Sequence, residues 1–168
     1  MTAETAAQPR FLCDAMLGSL ARWLRLCGCD TLYLGTEPED AELARLADQE
    51  GRWLLTRDRE LAGFGPRTQL VRSDSLEAQL AEVLDRHGLP PPDDLEAARC
   101  GECNGVLEPV ARELVADVVP PYVLATAGRF RRCSGCGRVY WPGTHADEIH
   151  ARLARVRQRM AVRGSMST

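Results

Sequence analysis

The chain has 168 residues, a net charge of −3 and 45% apolar residues, enough for one domain with a core and a small appendage. No apolar run approaches the length of a membrane-spanning helix, and residues 1–10 lack a hydrophobic signal core. We therefore expect a cytoplasmic protein with a disordered N-terminus over residues 1–10. All 21 basic residues are arginine, which excludes a P-loop and a phosphorelay receiver domain, because both need a lysine.

The charge is distributed unevenly along the chain. Residues 1–98 hold 10 Arg against 18 Asp and Glu, a net charge of −8, whereas residues 99–168 hold 11 Arg against 6 acids, a net charge of +5. An acidic half favours metal ions, and a basic half favours polyanions.

Short apolar runs alternate with helical patterns through the first half of the chain. The predicted strands are 11–14, 31–34, 53–55 and 68–71, and the predicted helices run from Met16 to Cys27, from Pro38 to Gly51 and from Ser73 or Ser75 to Gly88. A short helical turn through Leu61 follows the third strand. This alternation predicts an α/β fold with a parallel sheet covered by helices on both faces.

A run of three prolines and two aspartates at 90–94 is typical of a stiff, polar linker. We therefore predict a first domain over 11–89, a linker over 90–98 and a second unit over 99–145. A C-terminal helix from about Ala146 to Val162, with a tail, occupies 146–168.

Two cysteine pairs, Cys100-Gly-Glu-Cys103 and Cys133-Ser-Gly-Cys136, give the most specific local signal. Such pairs can place four sulfurs tetrahedrally around one zinc ion, and a site of four thiolates is structural because it is closed. The 29 residues between the pairs predict a ribbon with an inserted loop around Val119–Tyr122. The alternative is redox dithiols or disulfides, although nothing in the sequence suggests export.

The remaining metal-ligating side chains have weaker patterns. Cys13, Cys27 and Cys29 lie in or beside predicted core elements, where we expect small buried hydrophobic side chains. His145 is a poor zinc ligand because four thiolates are already present. We expect it to contact nucleic acid or to link the ribbon to the first domain.

Acidic side chains collect at one predicted edge of the sheet. Asp14 and Asp58 follow buried strands, and the carboxyl ends of parallel strands are where ligands bind in such sheets. Asp40 starts the second helix at the same edge, and Glu60 follows closely. Nearby acids are Glu37, Glu39 and Glu42. Clustered carboxylates can hold Mg²⁺ or Mn²⁺, which activate water and stabilise a phosphodiester under attack. The alternative is a set of helix caps and solvated acids.

Arginines and aromatic residues provide candidate RNA contacts. The arginines in the first half of the chain are Arg22, Arg25, Arg57 and Arg59, and those around the second cysteine pair are Arg129, Arg131, Arg132 and Arg138. Arginine binds phosphate through two hydrogen bonds, and the neighbouring Tyr140 and Trp141 could stack on bases. Alternatively, the arginines are solvated and the aromatic rings pack inside the ribbon.

The motifs resemble those of a known family. The stretch Thr-Arg-Asp58-Arg-Glu60-Leu resembles the third acidic motif of PIN-like nucleases, and Phe-Leu-Cys-Asp14 resembles their first. The longer run Asp14-Ala-Met-Leu-Gly-Ser-Leu-Ala-Arg-Trp-Leu-Arg, with both cysteine pairs and Tyr-Trp-Pro-Gly-Thr-His145, is similar to the Mut-7 C-terminal RNase family. The resemblance covers roughly residues 11–155.

This resemblance implies a PIN-like α/β domain, a zinc ribbon and RNA cleavage. It assigns metal binding to Asp14, Asp40 and Asp58, and Glu60 stands where many PIN domains place a fourth acid. We therefore expect an Mg²⁺- or Mn²⁺-dependent ribonuclease with structural zinc and no membrane partner. Its nucleic-acid-binding residues would be Arg22, Arg25, Arg57, Arg131, Arg132 and Arg138.

Three other functions compete with this one. A non-catalytic RNA- or ribosome-binding adaptor would keep the fold without the chemistry. An aspartyl-phosphate phosphohydrolase usually has a second aspartate two residues after the nucleophile, where this chain has Met16. A toxin-type nuclease is less natural with an added zinc ribbon.

Overall fold

The computed structural model describes residues 8–35, 38–143 and 146–166, with side chains to residue 164. Two candidates from the sequence, Glu37 and His145, lie outside the described residues, as does most of the segment predicted to be disordered. The described residues form a four-stranded parallel sheet, a three-stranded antiparallel sheet and the helices around them.

The parallel sheet is built from the four strands that the apolar runs predict. They are β1 (Phe11–Cys13), β2 (Thr31–Tyr33), β3 (Trp53–Thr56) and β4 (Thr68–Leu70). Their order is β2-β1-β3-β4, and every neighbouring pair is parallel. The central strands β1 and β3 are almost entirely buried, which explains their continuous apolar sequence.

Three helices of the first half flank this sheet. They are α1 (Gly18–Leu26), α2 (Asp40–Gln49) and α3 (Leu76–Arg86). A 3-10 turn over Ala15–Leu17 precedes α1, so the predicted first helix begins with a tighter turn. The second helix begins at Asp40, two residues after Pro38, with Glu39 at the N-cap position.

Each face of the parallel sheet has its own buried core. On one face the core joins the sheet to α1, α3 and the C-terminal helix α5 (Ala146–Met166), whose Leu153 and Val156 are fully buried. On the other face, Leu12 and Leu54 of the sheet pack against Leu43 of α2. The predicted C-terminal helix is confirmed, and it completes the helical layer of the first sheet.

The antiparallel sheet carries the cysteine pairs. Its strands are β5 (Leu107–Val110), β6 (Phe130–Cys133) and β7 (Val139–Tyr140), in the order β5-β6-β7. The predicted inserted loop is a compact excursion between β5 and β6, with a 3-10 turn over Arg112–Val115 and a short helix α4 (Pro121–Thr126). Val115, Val119 and Phe130 give this excursion a small core of its own.

The proline-rich segment between the two sheets lies against the rest of the molecule. Leu89 and Leu95 pack on the main core, and the Arg157 guanidinium on α5 forms an ion pair of 3.1 Å with Asp93. Among the described helices, none is both long enough and apolar enough to span a membrane.

Candidate metal centres and nucleic-acid surface

Three predicted acidic residues line one cavity at the carboxyl edge of the parallel sheet. Asp14 directly follows β1, and Asp58 lies two residues beyond β3, its immediate neighbour in the sheet. Asp40 is the first residue of α2, which begins at the same edge. The cavity has a volume of about 600 Å³, and its acidic lining residues are Asp14, Glu39, Asp40 and Asp58.

The Asp14 carboxylate is held from several directions. Asp14 is 6% exposed. Its Oδ1 accepts a hydrogen bond from the Met16 amide at 3.0 Å, and its Oδ2 accepts from the Thr56 hydroxyl at 2.5 Å and the Arg57 amide at 3.3 Å. These donors fix the position of the carboxylate at the rim of the cavity. The bond to Met16 also caps the first 3-10 turn, so Asp14 has a structural role as well.

A buried hydroxyl connects the two aspartates that follow strands. Thr56 is fully buried, and its Oγ1 accepts a hydrogen bond of 2.9 Å from the Asp58 amide while donating to Asp14. The Asp58 Oδ1 accepts from the amides of Glu60 and Leu61, whereas its Oδ2 has no donor among the described residues. Sequence reasoning missed the role of Thr56, although a hydroxyl at the end of an apolar strand marks the position.

The acidic residues differ in how close they lie to this cavity. Asp40 is exposed and lines it, beside the helix terminus where α2 begins. Glu60 is exposed, but the cavity lining includes Glu39 and not Glu60. Across the described part of the chain, the four cysteines are the group of candidate metal ligands whose atoms all lie within 4.8 Å of one another. The carboxylates that line the cavity are therefore spaced more widely than the four sulfurs.

The four cysteines have the geometry that a tetrahedral metal ion requires. The Sγ atoms of Cys100 and Cys136 are 3.6 Å apart, and those of Cys103 and Cys133 are 3.3 Å apart. An ion bound 2.3 Å from each of four sulfurs sets the S–S separation at about 3.8 Å. None of the seven cysteines forms a disulfide. The cluster can therefore hold a metal ion such as zinc.

Glycines make room for the sulfurs in both turns. A Cβ atom at Gly105 would lie 2.6 Å from the Cys133 Sγ, and one at Gly135 would lie 3.2 Å from the Cys103 Sγ. The amides of Gly135 and Cys136 point towards the Cys133 Sγ at 3.3 and 3.5 Å. Such amide contacts stabilise a thiolate, which is the form that binds metal.

Tyr140 takes part in this centre. Its hydroxyl lies 3.0 Å from the Cys100 Sγ. Burial alone would raise the pKa of Cys100, but the hydrogen bonds from Tyr140 and from backbone amides outweigh it and lower the pKa to about 6. Burial and the neighbouring thiolate raise the pKa of Tyr140. Tyr140 therefore packs inside the ribbon, whereas Trp141 is 36% exposed.

The other three cysteines are separate from the metal centre. Cys13 and Cys29 are buried, and Cys27 is half-buried beside the main core. Burial raises the pKa of all three thiols, to about 12 for Cys27 and Cys29. They agree with the expectation of small buried hydrophobic side chains.

Arg22 and Arg25 hold the first cysteine turn, residues 100–104, against the half of the chain that forms the parallel sheet. Arg25 is 4% exposed, and its guanidinium donates to the carbonyl of Thr31 at 2.9 Å and to that of Gly101 at 2.8 Å. Arg22 forms an ion pair with Glu102 in the same turn. The structure thus places the Arg25 guanidinium against protein carbonyls.

Three of the other candidate arginines also have partners in the protein. Arg131 donates to the carbonyls of Leu95 and Leu107, and Arg132 donates to that of Leu114 at 2.6 Å. The Arg57 guanidinium lies 2.6 Å from Asp74 in an exposed ion pair. Arg138 is exposed. Arg57 and Arg138 thus differ from Arg131 and Arg132 in that their guanidinium groups donate to no main-chain carbonyl among the described residues.

A polar network docks the first cysteine turn at the opposite end of the parallel sheet from Asp14. The Asp30 Oδ1 accepts hydrogen bonds of 2.7 Å from the buried Arg52 and from Asn104. The Asn104 Oδ1 in turn accepts from the Thr31 amide at 3.0 Å. Burial raises the pKa of Asp30, but the bonds from Arg52 and Asn104 outweigh it and lower the pKa to about 2.

Fold and site together define an α/β protein with a parallel sheet, an acidic cavity at its carboxyl edge and a four-cysteine ribbon. A model of the Mut7-C RNAse domain matches residues 9–153, which is most of the chain. The chain belongs to the Mut7-C RNAse domain family, and the resemblance seen in its motifs is confirmed. Comparisons with curated proteins and with solved structures give no significant match. Membership indicates a nuclease-type function related to RNA.

Proposed function

We propose that this protein is an Mg²⁺- or Mn²⁺-dependent ribonuclease that hydrolyses RNA phosphodiester bonds at the acidic cavity. The observation that carries the proposal is the chain of hydrogen bonds from the Asp58 amide through Thr56 to the Asp14 carboxylate. It fixes two residues from distant parts of the sequence at one open edge. Family membership indicates a nuclease-type reaction, and the acidic cavity is the proposed place for that reaction.

The residues that would hold the divalent ion are Asp14, Asp40 and Asp58. Their carboxylates form a less compact group than the four sulfurs, but Mg²⁺ keeps several waters and needs one or two carboxylates directly. When bound, such an ion lowers the pKa of a water molecule and stabilises the charge that develops on the phosphate.

The chain's own residues orient this site. Thr56 and the Met16 amide fix the Asp14 carboxylate, and the Asx turn at Asp58 uses its Oδ1 and leaves its Oδ2 without a donor among the described residues. We propose a lesser catalytic role for Glu60, because its amide holds Asp58 while its carboxylate lies outside the cavity lining.

We further propose that zinc occupies the four-cysteine centre and that the ribbon helps to hold RNA. The sulfur separations suit zinc, and four thiolates leave no open position for catalysis. The proposed RNA contacts are Arg57, Arg138 and the exposed Trp141. Seven cysteines without a disulfide support a reducing location such as the cytoplasm.

The test is incubation of zinc-loaded protein with an end-labelled RNA pool, with and without added Mn²⁺, followed by mapping of the new ends. We expect cleavage that requires the added ion and is lost in Asp14→Asn and Asp58→Asn. Asp85→Asn is a matched control, because Asp85 is an exposed acid on α3. Full activity in both cavity variants would overturn the assignment.

A non-catalytic RNA-binding adaptor is the second candidate. It is favoured by the structural roles of the same aspartates, since Asp14 caps one 3-10 turn and the Asp58 carboxylate accepts bonds from the amides that open another. Such a protein would bind RNA with a steep salt dependence and show no metal-dependent turnover.

A further inference from the structure

A second cavity lies beside the acidic one, and its charge is opposite. Its volume is about 610 Å³, and its lining residues are Arg57, Arg59, Leu70, Val71 and Arg72. Arg57 lies between the two cavities. Its amide is 3.3 Å from the Asp14 Oδ2 at the acidic cavity, and the residue also lines the second cavity. Asp58 is therefore flanked in sequence by two arginines that belong to this basic cleft.

The basic cleft is fixed by the backbone that follows β4. The Val71 amide donates to the Thr56 carbonyl at 2.7 Å, which continues the pairing of β4 with β3. The next turn is anchored by Glu82 on α3, whose carboxylate accepts from the amides of Arg72 at 3.0 Å and Ser73 at 2.9 Å. Arg72 thus stands at the carboxyl end of β4, as Asp14 does at the end of β1.

Two of the three arginines that line this cleft have no counter-ion among the residues that the structure describes. Arg59 and Arg72 are exposed, and neither forms an ion pair within the described parts of the chain. Arg57 is paired with Asp74, which is 93% exposed, and an exposed ion pair costs little to exchange. Residues 1–98 carry a net charge of −8, so the three arginines make the basic cleft a positively charged region within an acidic half of the chain.

We propose that Arg57, Arg59 and Arg72 bind the phosphate backbone of single-stranded RNA on one side of the scissile bond. The proposal rests on the ribonuclease function above and names the path by which the strand reaches the acidic cavity. The cleft lining contains arginine and aliphatic residues but no aromatic ring, so it suits phosphates and not base stacking. Contacts of this kind position a strand without selecting its sequence.

The experiment measures binding of a fluorescent oligouridylate to zinc-loaded protein by anisotropy, without added divalent ion and across a series of salt concentrations. The variant is Arg59→Gln with Arg72→Gln, and the matched control is Arg67→Gln with Arg86→Gln. Arg67 and Arg86 are also exposed, but they lie before β4 and at the end of α3, away from the cleft. Both variants lose the same charge.

We expect the cleft variant to bind at least tenfold more weakly than the control. The slope of log K against log salt should become shallower by about 1.4, which corresponds to two lost phosphate contacts on a single strand. Equal affinities and slopes in the two variants, with melting temperatures like that of the wild type, would overturn the proposal. If the double variant fails to fold, Arg59→Glu alone is compared with Arg67→Glu in the same way.

Cleavage measured in parallel with Mn²⁺ separates this proposal from the proposed function. Cleavage by the wild type with no binding difference between the variants overturns the cleft and leaves the ribonuclease assignment intact. A specific loss of binding in a protein that never cleaves supports the cleft and contradicts the ribonuclease assignment.

Discussion

The acidic cavity and the four-cysteine centre arrange candidate metal ligands in opposite ways. The sulfurs all lie within 4.8 Å of one another in two short turns, and two of the four cysteines are buried. The acids come from three distant segments, are spaced more widely and line an open cavity. A closed set of ligands stabilises a fold, whereas an open set leaves room for water and substrate.

The two regions also lie at opposite ends of the parallel sheet. The cysteine turn is attached at the amino end through Asp30, Asn104 and Arg25. The cavity lies at the carboxyl end, where Asp14 and Asp58 follow their strands. Damage to the cysteine centre should therefore reach the cavity through lost stability, while damage to the cavity should leave the metal centre intact.

The largest expected effect is the loss of the metal from the cysteine centre. Cys100→Ser should lose zinc and unfold the ribbon, because structural zinc contributes on the order of 10 kcal/mol to folding. Zinc content and resistance to trypsin measure the effect. Cys27→Ser is the control, since Cys27 lies outside the centre. Full zinc content and wild-type stability in Cys100→Ser would contradict the structural role.

Asp14→Asn should have the largest effect on activity while sparing the fold. The loss of a negative charge in the cavity should lower the cleavage rate about 10³-fold, comparable to the removal of a major electrostatic contact. Cleavage rate and zinc content are measured together, with Asp85→Asn beside it. A variant that loses zinc as well as activity would break the separation between the two regions.

Asp30→Asn tests the attachment between the regions. The substitution removes one of the two carboxylate partners of the buried Arg52 and leaves only Glu50, so unfolding should become easier by about 2 kcal/mol at pH 7. Urea denaturation measures this difference, and the exposed Asp48 of α2 provides the control, Asp48→Asn.

The pH dependence of this difference has a defined sign. The pKa of Asp30 is lowered to about 2 in the folded chain, against about 4 when unfolded. Its contribution is therefore complete above pH 4 and is lost as the pH falls towards 2. The gap in stability between wild type and Asp30→Asn should close in that window, and a gap that is constant down to pH 2 would show that the charge is unimportant.

Thr56→Val should have the smallest effect on the cleavage rate of the substitutions proposed. Removing the hydroxyl that joins Asp14 to Asp58 should lower the rate about tenfold, a change of roughly 1.4 kcal/mol in the barrier. Thr56→Ser keeps the hydroxyl and should restore most of the rate. A positioning role also predicts weaker Mn²⁺ binding in the valine variant. Equal Mn²⁺ affinity in both variants would reduce Thr56 to a packing residue.

The parts of the molecule fixed by local pattern could be predicted from the sequence. The apolar runs at 11–14 and 53–55 predict the buried strands that the structure has at Phe11–Cys13 and Trp53–Thr56, and the alternation with helices predicts the parallel sheet. The two cysteine pairs predict the ribbon because the short spacing within each pair places its two sulfurs on one turn. Each of these features has a signal in residues close in sequence.

Features that depend on distant contacts could not be predicted. Arg25 has the spacing of a surface arginine, but its guanidinium is buried against carbonyls of the cysteine turn far along the chain. Glu39 lines the cavity and Glu60 does not, a difference that no local pattern indicates. Arg72 has no sequence signal, because its place in the cleft depends on the anchoring of the loop after β4 by Glu82.

Asp14 and Asp58 are proposed to share one divalent-cation site. Direct measurement of Mn²⁺ binding tests this proposal. Isothermal titration of zinc-loaded protein without RNA should show Mn²⁺ binding in the wild type and in Asp85→Asn. Binding should be lost in both Asp14→Asn and Asp58→Asn while the zinc content stays constant. Unchanged Mn²⁺ binding in both cavity variants would contradict the account.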